Sequence, residues 1–203
     1  MTQQQPAMAI RPVTLGGRHI RLEPLSQQRH HAGLSEVGLD PEIWRWNPFH
    51  VNRTPEDMRH YIETALRQQA AGESLPFATI EQASGRPVGS TRLVKIDRAN
   101  RNLEIGSTWI APPWQRTAVN TEAKYLMLRH AFETLGCIRV EFKTDSLNER
   151  SRRAILRLGA VEEGTLRNHM ITTGGRIRHS VYYSIVEQEW PAVKARLEER
   201  LAA

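Results

Sequence analysis

The sequence predicts an α/β protein in which a mixed, mostly antiparallel twisted sheet is flanked by helices. Two observations support this class. Segments that alternate apolar and polar residues, which is strand periodicity, are interspersed with segments that repeat apolar residues at helical spacing. The predicted strands first form a hairpin block and then alternate with helices, an order typical of an α/β architecture with mixed strand directions.

The first half of the chain predicts one strand, helices and a β-hairpin. In order, these are a strand at 19–23, a helix at 26–34, a loop or short helix pair at 40–49, a helix at 54–72, and strands at 76–81 and 87–96. The helix that begins at Thr54 is the best defined. A capping hydroxyl, Pro55 at the first helical position and two acidic residues follow one another there.

The second half predicts alternating strands and helices. They are a strand at 102–110, a helix at 121–135, a strand at 138–144, a helix at 148–158, strands at 161–171 and 176–186, and a polar helix after 187. Gly159 is expected to end the helix before it. Simple alternation in the first of these strands places Trp109 on the same face as Leu103 and Ile105, with Ile110 on the other face.

A short basic loop joins the strand at 102–110 to the next helix. Pro112 and Pro113 end the strand because neither can donate a hydrogen bond to a ladder. Asn120 or Thr121 is available to cap the helix. A helix start presents unpaired N–H groups and the positive end of the helix dipole, so this loop is suited to a phosphate.

The stretch from Glu104 to Thr121 resembles the acetyl-CoA pyrophosphate motif of the GNAT N-acetyltransferases. It is most similar to the ribosomal-protein alanine N-acetyltransferase branch (RimJ/RimL-type), which shows Gln or Arg, two residues, Gly, one residue, then Gly or Ala. Gln115 fits the first position, whereas Ala118 and Asn120 replace the two small residues. If the backbone at Ala118 required positive φ, its Cβ would add a steric cost. The resemblance covers about residues 18–186 and implies a GNAT-type sheet.

The resemblance also implies the residues that bind acetyl-CoA. They are the strand residues Thr108, Trp109 and Ile110, the loop residues Gln115, Arg116, Thr117, Ala118, Val119, Asn120 and Thr121, and the helix residues Asn148 and Ser151. Asn148 would bond the pantetheine arm, and Ser151 would lie near the sulfur. Asn148 is also an ideal helix cap, and Ser151 an ordinary first-turn residue. Many family members place a general-acid tyrosine where this chain has Ile155.

Three residues are candidates for catalysis: Glu104, Ser151 and His169. Glu104 is the first choice of general base because a carboxylate can relay a proton from the attacking amine through water. Its alternative role is a surface glutamate paired with a nearby arginine. His169 is the second choice, since imidazole titrates near neutral pH, although most histidines are packing or surface residues. Ser151 could donate a hydrogen bond to the sulfur. Trp44 and Trp46 could form a wall for the substrate, with core packing as the alternative.

Composition limits the other possibilities. The 203 residues favour a disordered N-terminal tail at 1–9 and a single domain at 10–203, and no apolar run reaches membrane-spanning length. The net charge of +6 fits CoA phosphates, but no nucleic-acid motif accompanies it, so direct nucleic-acid binding is not expected. A single cysteine, Cys137, and the lack of metal motifs predict no metal site. A cytoplasmic location is expected, and a homodimer is possible.

The expected function is therefore acetyl-CoA-dependent transfer of an acetyl group to a primary amine, by direct attack in a ternary complex. The acceptor is a protein N-terminus or a small-molecule amine, and the sequence does not choose between them. Two alternatives stay open: a catalytically weak or inactive GNAT module that senses acyl-CoA, kept open by Ile155, Ala118 and Asn120, and a loop that binds another phosphate-bearing ligand.

Overall fold

A computed structural model describes residues 8–49 and 51–202 of the chain. Its strands are β1 (Leu15–Gly16), β2 (Ile20–Pro24), β3 (Ser74–Glu81), β4 (Pro87–Asp97), β5 (Asn102–Ile110), β6 (Arg139–Asp145), β7 (Val161–Ile171) and β8 (Ile177–Val186). They form one eight-stranded sheet in the order β1-β2-β3-β4-β5-β6-β8-β7. The mixed, mostly antiparallel sheet predicted from the sequence is confirmed.

Within the described residues, six α-helices accompany the sheet. They are α1 (Gln27–Val37), α2 (Pro41–Trp44), α3 (Pro55–Ala70), α4 (Ala118–Arg129), α5 (Glu149–Leu158) and α6 (Trp190–Ala202). Two predicted helix ends are observed. Thr54 and Asp57 form a reciprocal capping box at the start of α3. Gly159 ends α5 in the left-handed conformation, with φ of 99°. The start of α4 differs from the prediction, because Thr117 and not Asn120 or Thr121 is its cap.

Among the described strands, β5 and β6 are the only parallel neighbours in the sheet. They pair over three residues each, Asn102–Glu104 with Arg139–Glu141. Beyond Glu104 the two strands separate, although β5 continues to Ile110 and β6 to Asp145. The sheet therefore opens into a cleft, and backbone groups of β5 on the side of β6 have no strand partner there.

A β-bulge changes the direction of the side chains in the second half of β5. Gly106 lies opposite Arg92 of β4, but Trp109 lies opposite Ser90, so β5 has one extra residue. Ser107 in the bulge has φ of 48°. The simple alternation predicted for this strand is consequently wrong beyond the bulge. Ile110 packs in the same core cluster as the earlier apolar residues of β5, and Trp109 packs in the other.

Two apolar clusters pack against the sheet. One joins sheet residues to α4, α5 and α6, and the other joins them to α1, α2 and α3. Met8, which lies within the tail predicted at 1–9, belongs to the first cluster and is only 5% exposed. Residues 1–7 of that tail lie outside the described part of the chain. Among the described helices, none combines the length and the hydropathy that a membrane crossing requires.

Candidate functional site

A cavity of about 470 Å³ lies where β5 and β6 separate. Its lining includes the second half of β5, the loop before α4, the first turns of α4 and α5, and the segment after α2. Of the sequence-predicted residues, the lining contains Glu104, Thr108, Trp109, Ile110, Gln115, Arg116, Thr117, Asn120, Thr121, Asn148, Ser151 and Trp46. Residues distant in sequence are thus brought to one site by the separation of the two strands.

The loop before α4 reaches the cavity in a left-handed turn. The residue with positive φ in this loop is Arg116, at 63°, and Ala118 is the first residue of the helix. The steric cost considered for Ala118 therefore does not arise. Thr117 caps the helix by accepting a hydrogen bond from the Val119 N–H at 3.2 Å. The other first-turn N–H groups have no partner within a helix, so this end suits an anion.

Two residues of this loop that were predicted to bind acetyl-CoA do not line the cavity. Ala118 and Val119 border a second groove, beside Trp114, and the Val119 side chain is buried in the core. Gln115 instead links the two walls of the cleft. Its amide donates to the Ile110 carbonyl at 2.7 Å, and its carbonyl oxygen accepts from Arg150 of α5 at 2.7 Å.

The start of α5 forms the opposite wall. Asn148 caps the helix, with its Oδ1 accepting from the Ser151 N–H at 3.1 Å. This cap uses the amide oxygen and leaves the amide NH₂ of Asn148 as a donor for a ligand. Ser151 lines the cavity beside Ile155, which is 7% exposed. Because Ile155 has no polar group, it supplies apolar surface only.

Lys124 is a cavity residue that the sequence analysis did not single out. It is 6% exposed on α4, and its Nζ donates to Thr108 Oγ1 at 2.5 Å and to Thr91 Oγ1 at 3.4 Å. It has no ion pair with a carboxylate of the described residues. Burial lowers the pKa of Lys124 to about 7. The available signal was its spacing, three residues beyond Thr121 and seven beyond Thr117, which places all three on one helix face.

Replacing Lys124 with Met should raise the free energy of unfolding, and the gain should depend on pH. The pKa is lowered from 10.5 to about 7 in the folded protein, so the cost of burying the charge is complete below pH 7. Between these two values the cost falls by about 1.4 kcal/mol per pH unit. Denaturant unfolding at pH 7 and pH 9 measures it. Lys194→Met, at the surface, should show no such dependence, and an equal gain for Lys124→Met at both pH values would contradict the assignment.

Glu104 lies at the point where β5 leaves β6. Its side chain is 4% exposed, and its Oε2 lies 2.9 Å from Lys95 Nζ and 3.6 Å from Lys143 Nζ. The nearby arginines considered from sequence are not its ion-pair partners. Burial alone would lower the pKa of Lys95, but the hydrogen bond and charge of Glu104 raise it well above its ordinary value. Burial lowers the pKa of Lys143, with Glu104 opposing that effect.

His169 lies outside the lining of the cavity but is connected to Glu104. Its Nε2 is 3.4 Å from the Tyr182 hydroxyl, which in turn accepts from Lys95 Nζ at 3.4 Å. Its Nδ1 is 2.9 Å from Ser180 Oγ. Burial and the charges of Lys143 and Lys95 lower the pKa of His169, which favours the neutral imidazole at neutral pH. The two candidate bases therefore belong to one polar network.

The two predicted substrate tryptophans differ in position. Trp44 is 1% exposed in the core, where it packs on the rings of Tyr61 and Trp109 and donates to the Gly38 carbonyl at 2.7 Å. It does not line the cavity. Trp46 does, and its carbonyl accepts from Arg178 Nη1 at 3.3 Å. Only Trp46 is thus placed to contact a ligand in the cavity.

Comparison with known proteins decides the family. The model of the family described as "Acetyltransferase (GNAT) domain" matches residues 19–161 of this chain. The chain belongs to the GNAT family of acetyltransferases. A Bacillus subtilis protein described as "Putative ribosomal N-acetyltransferase YdaF" is 35% identical over 180 residues, which cover 85% of this chain and 92% of the relative. The resemblance derived from the residues is confirmed, and the protein is an acetyltransferase.

Solved structures of GNAT proteins share the architecture. A GCN5-related N-acetyltransferase from Brucella melitensis is 33% identical, with a TM-score of 0.88 and coverage of 95% of this chain and 86% of that one. The Mycobacterium smegmatis RimJ, solved with CoA-disulfide, has a TM-score of 0.81 at 23% identity, covering 93% and 95% of the two chains. This second likeness establishes the fold alone. In the part of this chain that the structure describes, no group of three His, Cys, Asp or Glu side chains is placed to hold a metal ion.

Proposed function

We propose that this GNAT acetyltransferase transfers the acetyl group of acetyl-CoA directly to a primary amine while both substrates are bound. The observation that carries the proposal is that one cavity is lined by two different sets of residues. The residues predicted to bind acetyl-CoA, apart from Ala118 and Val119, line it from β5, the loop before α4 and the start of α5. Glu104 and Trp46 line the same cavity and are not needed to hold the donor. A donor and an acceptor can therefore meet in it without a carrier residue.

The donor side offers groups that fit acetyl-CoA. Unpaired backbone groups of β5 beyond Glu104 can pair with the amide-bearing pantetheine arm as an added strand would. The start of α4 and the side chains of Arg116, Arg150 and Arg157, which all line the cavity, suit its phosphates. The Asn148 amide NH₂ and the Ser151 hydroxyl would contact the arm and the sulfur. Since Ile155 cannot donate a proton, the Ser151 hydroxyl would stabilise the departing sulfur by a hydrogen bond.

The amine must lose a proton before or during its attack on the thioester. Glu104 is the proposed base, acting directly or through one water, because it lies in the cavity. His169 is the second candidate, and the contacts through Tyr182 and Lys95 provide a route by which it would act. Glu104 lies in the cavity itself, and His169 is connected to it through Tyr182 and Lys95.

A route through an acetylated cysteine is poorly supported. The chain has one cysteine, Cys137, and it is 1% exposed in the core. Burial raises the pKa of its thiol to about 12, so the nucleophilic thiolate is scarce at neutral pH. This observation favours direct attack by the amine.

The relatives indicate one class of acceptor. The Bacillus subtilis relative is described as a ribosomal N-acetyltransferase, which supports a protein N-terminus as the amine and a cytoplasmic location. A small-molecule amine is the other class.

Release of the CoA thiol, followed with a panel of N-terminal peptides and small amines, tests the proposal, and acetylated product in at least one case is expected. Binding of acetyl-CoA without turnover would favour an acyl-CoA-sensing module. Tighter binding of ATP than of acetyl-CoA, measured by calorimetry, would favour another phosphate ligand.

Replacing Arg116 with Ala should weaken acetyl-CoA binding about two- to fivefold at low ionic strength. Arg116 is exposed, lines the cavity and directly precedes the cap of α4, so its contact with phosphate would be ionic and screened by salt. Calorimetry at low and high salt measures the effect, which should shrink at high salt. Arg53→Ala, away from the cavity, is the control. Unchanged affinity of Arg116→Ala at low salt would contradict the assignment.

A further inference from the structure

Lysines are rare in this chain, and most of them line the cavity. The sequence has four, at positions 95, 124, 143 and 194. Lys95, Lys124 and Lys143 belong to the cavity lining, whereas Lys194 lies on α6 and pairs with Glu133. The wall of this acetyltransferase cavity therefore contains three primary amines of its own. They differ in charge, exposure and neighbours, and these differences decide which of them can react with a bound acetyl donor.

Lys95 is held as an ammonium ion. Its Nζ lies 2.9 Å from Glu104 Oε2, donates to the Tyr182 hydroxyl at 3.4 Å and lies 5.1 Å from the centre of the tyrosine ring. Burial alone would lower the pKa of Lys95, but the hydrogen bond and charge of Glu104 raise it well above its ordinary value. An ammonium ion has no lone pair with which to attack a thioester, so Lys95 is a poor nucleophile.

Lys124 has the opposite limitation. Burial lowers its pKa to about 7, so a large share of it is the neutral amine at neutral pH. The residue is only 6% exposed, however, and its Nζ donates to the hydroxyls of Thr108 and Thr91. Among the described residues, no carboxylate pairs with Lys124 to accept the proton that an attack releases. Access and a base are therefore both poor at this position.

Lys143 combines access to the cavity with a base beside its amine. It lies on β6 two residues beyond Glu141, the last residue that pairs with β5, and so stands where the cleft is open. Its side chain is 16% exposed, and its Nζ is 3.6 Å from Glu104 Oε2. Both of its sequence neighbours also line the cavity. Burial lowers the pKa of Lys143, against the charge of Glu104, which favours the reactive neutral amine.

We propose that the enzyme acetylates its own Lys143 when acetyl-CoA is bound and no acceptor fills the cavity. The proposal rests on the proposed function, because it uses the same donor and the same base. Glu104 takes one proton from the ammonium group, and the lone pair of Nζ forms a bond to the carbonyl carbon of the thioester. The carbon–sulfur bond breaks with its electron pair on sulfur, and the CoA thiolate takes a second proton from Nζ. The products are acetyl-lysine at position 143 and CoA, and Glu104 returns its proton to solvent.

This reaction differs from transfer through a carrier residue. The amine of Lys143 lies beside Glu104, where the proposed mechanism also places the amine of the acceptor. Lys143 and an acceptor therefore compete for one base and one donor. The product is an amide, which is far less reactive than a thioester and does not pass its acetyl group to another amine. Self-acetylation is thus a side branch of direct transfer, favoured when the acceptor is scarce.

Mass spectrometry of the intact enzyme, incubated with acetyl-CoA and no amine, tests the proposal. One added acetyl group per chain is expected. Trypsin should no longer cleave after Lys143, so that residues 140–150 remain one acetylated peptide. Acetylation at Lys143 should be faster than at Lys194 by about 10²-fold, because only Lys143 lies beside the bound donor. Its rate constant should not change when the enzyme is diluted, since the step is intramolecular, and an amine that the enzyme acetylates should slow it.

Variants and a competitor assign the reaction to Lys143 and the cavity. Lys143→Arg keeps the positive charge beside Glu104 and removes the nucleophile, so the fast acetylation should disappear. Lys194→Arg, at the surface, is the matched control and should retain it. Thermal unfolding establishes that each variant is folded. In the unmodified sequence, an excess of desulfo-CoA, which has no sulfur to carry an acetyl group, should protect Lys143 and leave the slow labelling of Lys194 unchanged.

Several results would overturn the proposal. They are acetylation of Lys95 or Lys124 in place of Lys143, equal rates at Lys143 and Lys194, and fast acetylation that persists in Lys143→Arg or under desulfo-CoA. CoA release with the amine panel separates this outcome from failure of the proposed function. An enzyme that acetylates an amine and leaves Lys143 unmodified overturns the self-acetylation alone. An enzyme that acetylates Lys143 and no amine upholds it and contradicts only transfer to a separate acceptor.

Discussion

Replacing Glu104 with Gln should lower turnover by about 10²–10⁴-fold at neutral pH. The substitution keeps the shape of the side chain and removes the proton acceptor. Glu104 is buried at the point where the cleft opens, with a carboxylate oxygen 2.9 Å from Lys95 Nζ. The loss should shrink as the pH rises toward the pKa of the acceptor amine, because the free amine needs no base. A pH–rate profile with a saturating acceptor measures both features.

Two further variants separate this role from general effects of charge. Glu141→Gln changes the neighbouring residue on β6, which pairs with Arg139 outside the cavity, and should leave turnover almost unchanged. His169→Ala should also have little effect, because His169 does not line the cavity. If Glu104→Gln retained a near-normal rate at neutral pH, the role of base would pass to His169 or to bulk water.

Replacing Glu122 with Ala should lower the free energy of unfolding by roughly 3–5 kcal/mol. Glu122 is 4% exposed on α4, and its carboxylate accepts three backbone hydrogen bonds, each of 2.7 Å, from Arg18, His19 and Ile20. The carboxylate lies so close to Gly17 that a Cβ there would be 2.4 Å from Glu122 Cδ. Its loss would leave three donors at the start of β2 without their acceptor.

Denaturant unfolding of matched variants measures this effect. Glu122→Gln retains one acceptor oxygen and should lose less stability than Glu122→Ala. Glu199→Ala, at an exposed position of α6, should change the free energy of unfolding by no more than about 0.5 kcal/mol. A loss for Glu122→Ala as small as that of the control would show that water replaces the carboxylate without cost.

Most of the element order could be predicted from sequence because its signals are local. The Thr54 capping box and the left-handed Gly159 each define a helix end through residues only a few positions apart. The cleft was not predicted, because the resemblance implied only a GNAT-type sheet and the residues that bind acetyl-CoA. Its origin is the three-residue pairing of β5 with β6, which depends on strands more than thirty residues apart in sequence.

The features that sequence analysis missed depend on backbone geometry and burial. A serine with φ of 48° inside an alternating strand gives no pattern that marks a bulge, so the faces of Trp109 and Ile110 were predicted incorrectly. Positive φ was considered at Ala118, but the left-handed residue of this loop is Arg116, two positions earlier. Lysine is a residue type that usually lies at the surface, so the sequence gives no sign that Lys124 is buried. The packing of α4 against β5 buries it.

Initial rates measured while both substrates are varied test the central claim of direct transfer most directly. With the best amine of the panel, double-reciprocal plots at several acetyl-CoA concentrations should intersect, because the acetyl group moves only when donor and acceptor occupy the cavity together. Intact-protein mass spectra after incubation with acetyl-CoA alone should show no acetylated enzyme that can pass its acetyl group to the amine. Parallel lines, together with an acetylated protein that passes its acetyl group to the amine, would contradict the account.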